Sequence, residues 1–355
     1  MSEAGPPSAP RHAAGGPRRS VLSGGRRRRR RTRTGAVLFA LLLAPAAVAA
    51  AAFLSFGIEN GSSGTAPAPL AAGSPPMPLE PVETPDGVQS VATAPVPDVP
   101  LDSVDAFHVD LRRPPRAGLV FDVRTGEVLW RRRPLMRTPM ASLTKIMSAL
   151  LVVERTRPND PVRITPAAFR YSGQAVGLLP RGKRVRLETL LNGMLIVSGN
   201  DAAIALAVHV SGSERRFVRA MNRRARAWGL DCTHFASSHG LEKGNRSCAR
   251  DLAVLTRLAM SKPRIRRIAR RRQVSFRFPI KGRRLYLTGH NPLMRLGYRG
   301  AVGLKTGYTS EAGRCFVGVA RRGGRRMGVV LLNSRDPSRH APVLLDEAFE
   351  RVRAG

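Results

Sequence analysis

Ser142 and Lys145 stand three residues apart in the string Ser142-Leu143-Thr144-Lys145. A serine hydroxyl is a weak nucleophile near neutral pH and needs an adjacent base. A lysine becomes that base when burial or a neighbouring cation lowers its pKa. Two further strings hold groups of the right kind. Ser198-Gly199-Asn200 offers a hydroxyl for proton relay and a side-chain amide to hold a substrate amide. Lys305-Thr306-Gly307 offers a cation and a hydroxyl suited to a substrate carboxylate, and Lys305 is the candidate second cation for Lys145. A glycine at 307 lets a ligand backbone approach closely. The chemistry these groups describe is acyl transfer through a serine ester.

Such side chains work only if the elements carrying them converge. Residues 141–154 have apolar side chains at Leu143, Ile146, Met147, Leu150 and Leu151, which is helical spacing. Pro139 precedes the first turn of that predicted helix. On it Ser142 and Lys145 share one face. The Ser142 N–H at the helix start is placed to point at an oxyanion. Residues 187–210 predict two helices joined by a tight turn at Ser198-Gly199-Asn200. Gly199 is expected to permit the turn and Asp201 to cap the second helix. Residues 299–334 predict strands, with apolar alternation over 314–320, a hairpin turn at Gly323-Gly324 and a further strand over 327–332. Lys305 and Thr306 are then expected at a strand end. Each string alone has an ordinary reading: a solvated lysine, a helix–helix connector, a surface hairpin. Three together in this order outweigh those readings.

SxxK, SxN and KTG in this order are the motif set of serine acylases that penicillin attacks. The chain resembles the D-alanyl-D-alanine carboxypeptidases, low-molecular-weight penicillin-binding proteins, from Phe107 to about Arg353. Beyond the three motifs, the resemblance rests on AGLVFDVRTGEVLW (117–130), GLLPRGKRVRLETLL, SGNDAA, THFASSHGL (233–241), SCARDLAVL (247–255), GHNPLM (289–294) and GLKTGYT (303–309). It implies an α+β fold of the β-lactamase and transpeptidase type. An antiparallel sheet is flanked by helices, and a mostly helical subdomain carries the SGN motif. The implied roles are Ser142 as nucleophile, Lys145 as general base and Ser198 as proton shuttle. Asn200 would hold the peptide amide, and Lys305 and Thr306 the terminal carboxylate. The backbone N–H groups of Ser142 and Tyr308 would form the oxyanion hole. The implied substrate is the stem peptide of peptidoglycan, with β-lactams as covalent inhibitors and no cofactor. A D,D-endopeptidase uses the same motifs, and a non-catalytic wall-binding protein would share the fold. Glu188 matches an ExxLN string of one group of β-lactamases, but it precedes the SGN motif where theirs follows. It reads instead as a first-turn acidic residue favoured by the helix dipole.

Other residues are less telling. His239 in the HGL string reads as a structural loop histidine, not a base. The seven histidines show no metal-ligand spacing. Cys315 falls in a predicted strand, as a buried free thiol. Cys232 and Cys248 flank the HGL string, and in an oxidising exterior they have the option of pairing.

The N-terminal third is built differently. Residues 1–34 are rich in Pro, Gly and Arg and cannot build a core. No charged residue occurs between Arg33 and Glu59, a gap containing the apolar run 35–57, long enough at about 20 residues to span a bilayer. The basic flank places the N-terminus in the cytoplasm and the rest of the chain outside. The run reads as a retained signal anchor or, through Ala47-Val48-Ala49, as a cleaved signal peptide. Residues 58–105 hold seven acidic and no basic residues among many Pro, Ala, Ser and Gly, and read as a spacer. Residues 106–355 form the catalytic domain, with one helix expected after the strand ending near Leu332. The net charge of +36 invites a nucleic-acid partner. The cations are scattered, however, only 5% of the chain is aromatic, and few rings are left for base stacking. Fifty-four of the 60 cations are Arg, and a basic exterior suits anionic wall polymers. The densest run, residues 264–272, reads as a solvated helix face.

Overall fold

The computed structural model describes residues 96–354, Ser172 excepted. The basic tail, the apolar run and most of the spacer lie outside the described residues. Among the described residues, no helix is long and apolar enough to cross a membrane.

The centre is a five-stranded sheet of β1 (Ala117–Asp122), β2 (Val128–Arg132), β3 (Ala301–Thr309), β4 (Gly313–Arg322) and β5 (Arg325–Leu332). Its order is β2-β1-β5-β4-β3, and every neighbouring pair is antiparallel. The opening hairpin β1–β2 turns at Asp122, whose carboxylate accepts the N–H groups of Arg124 and Thr125 at 2.7 and 3.1 Å. Gly126 completes the turn with φ +91°.

The apolar alternation expected over 314–320 separates two cores rather than core from solvent. Leu119, Phe121, Val317, Val319, Val330 and Leu332 face the larger core. Val120, Phe316, Val329 and Leu331 face a second core under the closing helix Pro337–Ala354. Alternate side chains point to opposite faces, so a strand covered on both faces is apolar throughout.

The helix Lys145–Arg155 is buried at every position from Lys145 to Val152. A helix apolar on all sides belongs in a core, and its burial carries Lys145 into the dry interior. The helices Leu187–Ile196, Asn200–Ser211 and Ala249–Ser261 pack around it. Two small hairpins stand apart from the sheet: Pro161–Arg163 with Arg184–Arg186, and Gln273–Arg277 with Arg284–Thr288.

Two expectations need correction. The spacer does not run to residue 105. Val99 is buried in the larger core, Asp98 pairs with Arg250 at 3.3 Å, and Asp105 pairs with Arg131 at 3.2 Å. The run 264–272 is not simply solvated either. Arg264 reaches the Glu188 carboxylate at 2.7 Å, and Arg271 reaches Asn192 Oδ1 at 2.6 Å. Glu188, a first-turn residue as expected, is thus held by Arg264 and Arg267.

Candidate active site

Ser142 lies on a single 3-10 turn, Ala141–Thr144, and the α-helix starts only at Lys145. The helix expected over 141–154 therefore begins four residues late. Ala141 has φ +49°, a left-handed conformation that costs a side chain energy and is kept where the surroundings enforce it. Thr144 Oγ1 donates to the Ala141 carbonyl at 2.9 Å and ties the turn.

Lys145 is fully buried. Its Nζ lies 2.9 Å from Ser142 Oγ, 2.6 Å from Asn200 Oδ1 and 2.7 Å from the His239 carbonyl oxygen. Burial lowers its pKa well below the usual lysine value; the Lys305 charge lowers it further, and Asp201 opposes. The neutral amine is a base, and its lone pair is available to the hydroxyl beside it.

Ser198 and Asn200 arrive from the turn between helices Leu187–Ile196 and Asn200–Ser211, as the sequence predicts. The left-handed residue of that turn is Ser198, φ +65°, and not Gly199, φ −57°. Gly199 is required for space: a Cβ there would stand 2.7 Å from Val176 Cγ2 and 2.9 Å from Asp201 Oδ1. Asp201 does not cap from the N-cap position, which Gly199 occupies. Its carboxylate instead accepts the N–H groups of Val176 and Gly177 at 2.8 and 3.0 Å. That pins the segment bearing Gln174, which lines the cleft.

Lys305 is also fully buried and sits in the middle of β3, not at a strand end. Its Nζ donates to Ser198 Oγ at 2.9 Å and to the Thr306 carbonyl at 2.8 Å. Burial lowers its pKa to about 7. Two lysines thus share one dry site, and the Lys305 charge makes the charged form of Lys145 costlier.

Ser142, Ser198, Thr306, Gly307 and Tyr308 line one cleft of about 470 Å³. A Cβ on Gly307 would meet Ser142 N at 3.0 Å and Met140 O at 3.2 Å, so β3 lies directly against the Ser142 turn.

His239 is neutral, its pKa lowered to about 3 by burial first and by Lys145 second. Its Nδ1 accepts the Leu241 N–H at 3.3 Å, leaving Nε2–H towards Glu214 at 3.5 Å. The contact is therefore imidazole to carboxylate, not an ion pair. The sequence reading caught the HGL string but missed its main contribution, a backbone carbonyl on Lys145. A carbonyl leaves no residue-type signal. Gln174, His290 and Arg314 line the cleft and were also missed.

Cys232 and Cys248 are bonded to each other, with Cα atoms 5.5 Å apart. The loop between them includes the HGL string. Cys315 is a buried free thiol, its pKa pushed up to about 11 by burial.

An antiparallel sheet whose edge strand presents lysine to a serine–lysine pair, with a helical lobe completing the cleft, defines the penicillin-recognising class of serine acylases. The chain belongs to the D-alanyl-D-alanine carboxypeptidase family, peptidase S11, whose sequence profile matches residues 114–336. It is 33% identical over 251 residues to the D-alanyl-D-alanine carboxypeptidase DacF of Bacillus subtilis, covering 68% of this chain and 64% of that protein. It is 33% identical over 248 residues to DacB2 of Mycobacterium tuberculosis, covering 69% and 79%. A D-alanyl-D-alanine endopeptidase of Pseudomonas aeruginosa is 33% identical over 229 residues, covering 60% and 73%. The crystal structure of a D-alanyl-D-alanine carboxypeptidase from Mycobacterium tuberculosis superposes with a TM-score of 0.64 at 31% identity, covering 70% of this chain and 96% of that one.

Proposed function

We propose that this chain is a serine D,D-carboxypeptidase that removes the terminal D-alanine from peptidoglycan stem peptides. The observation that carries this reading is Ser142 Oγ at 2.9 Å from a buried, pKa-depressed Lys145. Neutral Lys145 takes the Ser142 proton as Oγ attacks the carbonyl carbon of the penultimate D-alanine. The carbonyl electrons move onto oxygen, which the N–H groups of Ser142 and Tyr308 stabilise. Asn200 holds the peptide amide, and Lys305 with Thr306 binds the terminal carboxylate. Ser198, hydrogen-bonded to Lys305, relays the proton from Lys145 to the amine nitrogen as the C–N bond breaks, which leaves Lys145 neutral again. Water then attacks the ester, the shortened peptide leaves with the new carboxyl group, and Ser142 regains its proton. No cofactor enters any step. A β-lactam acylates Ser142 by the same attack.

Action on cross-links is the second reading, favoured by the relative named as an endopeptidase. The apolar run 35–57 serves as a membrane segment, with the catalytic domain outside the cell.

The test is D-alanine release from a synthetic peptide ending in D-Ala-D-Ala, with Ser142→Ala beside the parent. Release that the substitution abolishes supports the reading. Cleavage of cross-linked dimers without release from the linear peptide moves it to the endopeptidase.

A further inference from the structure

Away from the cleft, the two small hairpins face each other across an open groove of about 780 Å³. Arg184 and Arg186 line it from one hairpin, and Arg277, Arg283 and Arg284 from the other. All five are exposed. Among the described residues, none of the five pairs with a carboxylate, whereas Arg131, Arg224, Arg264 and Arg322 elsewhere do. Only neutral acceptors are met: Arg186 reaches Asn159 Oδ1 at 2.6 Å and Arg284 reaches Ser275 Oγ at 2.7 Å.

The imbalance is written into both segments. No Asp or Glu occurs between Asp160 and Glu188, or between Asp251 and Glu311. The strand registers then set arginine opposite arginine, Arg163 with Arg184 and Arg277 with Arg284. Like charges directly opposite destabilise a hairpin. Two such pairs in facing hairpins, both without acids, cost stability that a bound polyanion would repay. Guanidinium forks match phosphate oxygens two at a time. The groove is too open to enclose a small ion, and its cations spread over two hairpins, which fits a chain with repeated charges. Its aromatic lining residue, Phe278, is 4% exposed and offers no platform for stacked bases. The second hairpin runs on through Thr288 to His290, which lines the catalytic cleft.

We propose that this groove is a docking site for a polyphosphodiester of the cell envelope, which holds the enzyme beside the polymer its cleft trims. The envelope setting rests on the carboxypeptidase reading; the charge argument does not.

The test measures binding of the full chain, in neutral detergent at 0.15 M salt, to poly(glycerol phosphate), poly-L-glutamate of equal charge and single-stranded DNA. At that ionic strength, screening over about 8 Å suppresses distant charge effects. The groove variant carries Arg→Gln at 184, 186, 277, 283 and 284. A control variant carries the same change at 215, 216, 219, 223 and 226, exposed positions on the helix Glu214–Ala227. The groove variant is expected to bind poly(glycerol phosphate) at least about 10-fold more weakly, with the log–log salt slope reduced by about four. The control is expected to stay within about 3-fold. Equal losses in both variants would reduce the effect to net charge and overturn the proposal. Poly-L-glutamate or DNA binding as tightly, with the same dependence on the groove, would overturn its choice of ligand. D-alanine release from the small soluble peptide is expected to be unchanged in the groove variant, so failure of the groove and failure of the peptidase reading are told apart.

Discussion

Lys305 is where residue-scale chemistry is most exposed to test. Its pKa of about 7 makes it cationic below that pH and neutral above. A neutral amine no longer attracts a carboxylate, so kcat/KM is expected to fall as pH rises through about 7. A bound carboxylate favours the charged form, which raises the lysine pKa and moves the alkaline limb of kcat to higher pH. An alkaline limb above pH 9 in both profiles would remove Lys305 from carboxylate binding. Lys145 carries the opposite sign, because its neutral form acts. Asn200 Oδ1 is its shortest contact at 2.6 Å. Asn200→Asp adds an anion there, raises the Lys145 pKa and should move the acid limb of kcat/KM up by about 1 pH unit or more. An acid limb that stays in place in that variant would mean that Lys145 is not the base. Both lysines were legible as a pair from the motifs alone. Their shared burial was not, because it depends on which helix becomes central.

At the element scale, the contact between β3 and the Ser142 turn decides the geometry. Gly307 has no room for a methyl group, with Ser142 N at 3.0 Å and Ala141 Cβ at 3.1 Å from where its Cβ would stand. Gly307→Ala is expected to push strand and turn apart by a few tenths of an ångström. Because misplacement near 1 Å costs about 100-fold, a loss of about 10-fold or more in kcat/KM should follow, with little change in thermal stability. A variant that unfolds early instead would make Gly307 a stability residue rather than a spacing one. The elements themselves were well foretold: the opening hairpin, the helix pair around Ser198-Gly199-Asn200, the strands after 301 and one closing helix. The errors lay where backbone conformation departs from residue preference. Ser198 takes the left-handed conformation that glycine would be expected to take, and a 3-10 turn stands where helical spacing continues unbroken.

For the whole molecule, the bond between Cys232 and Cys248 closes a loop with a sequence separation of 16. A loop of that size is worth about 3 kcal/mol in the chain-entropy account. Replacing both cysteines by alanine should lower stability by about that amount, read from the denaturant midpoint and m-value together, because releasing the cross-link expands the unfolded chain. No change between parent and variant under oxidising conditions would mean that the bond does not form. The HGL string lies inside this loop and its carbonyl meets Lys145, so the variant should also lose kcat before it unfolds.

The sequence by itself determined the three motifs, their order and the elements that carry them. Motif chemistry and periodicity are local, and three helix or strand patterns suffice to record them. Only the tertiary structure decided which groups share a desolvated site. It brought Lys145 and Lys305, 160 positions apart in sequence, into one dry interior. It set the His239 carbonyl on Lys145 and turned Asp201 from a capping residue into an anchor for the segment bearing Gln174. It also placed two acid-free hairpins face to face. Burial and backbone direction are properties of the assembled chain. A pKa lowered by burial, or a carbonyl aimed at an amine, exists only once distant segments have excluded water together.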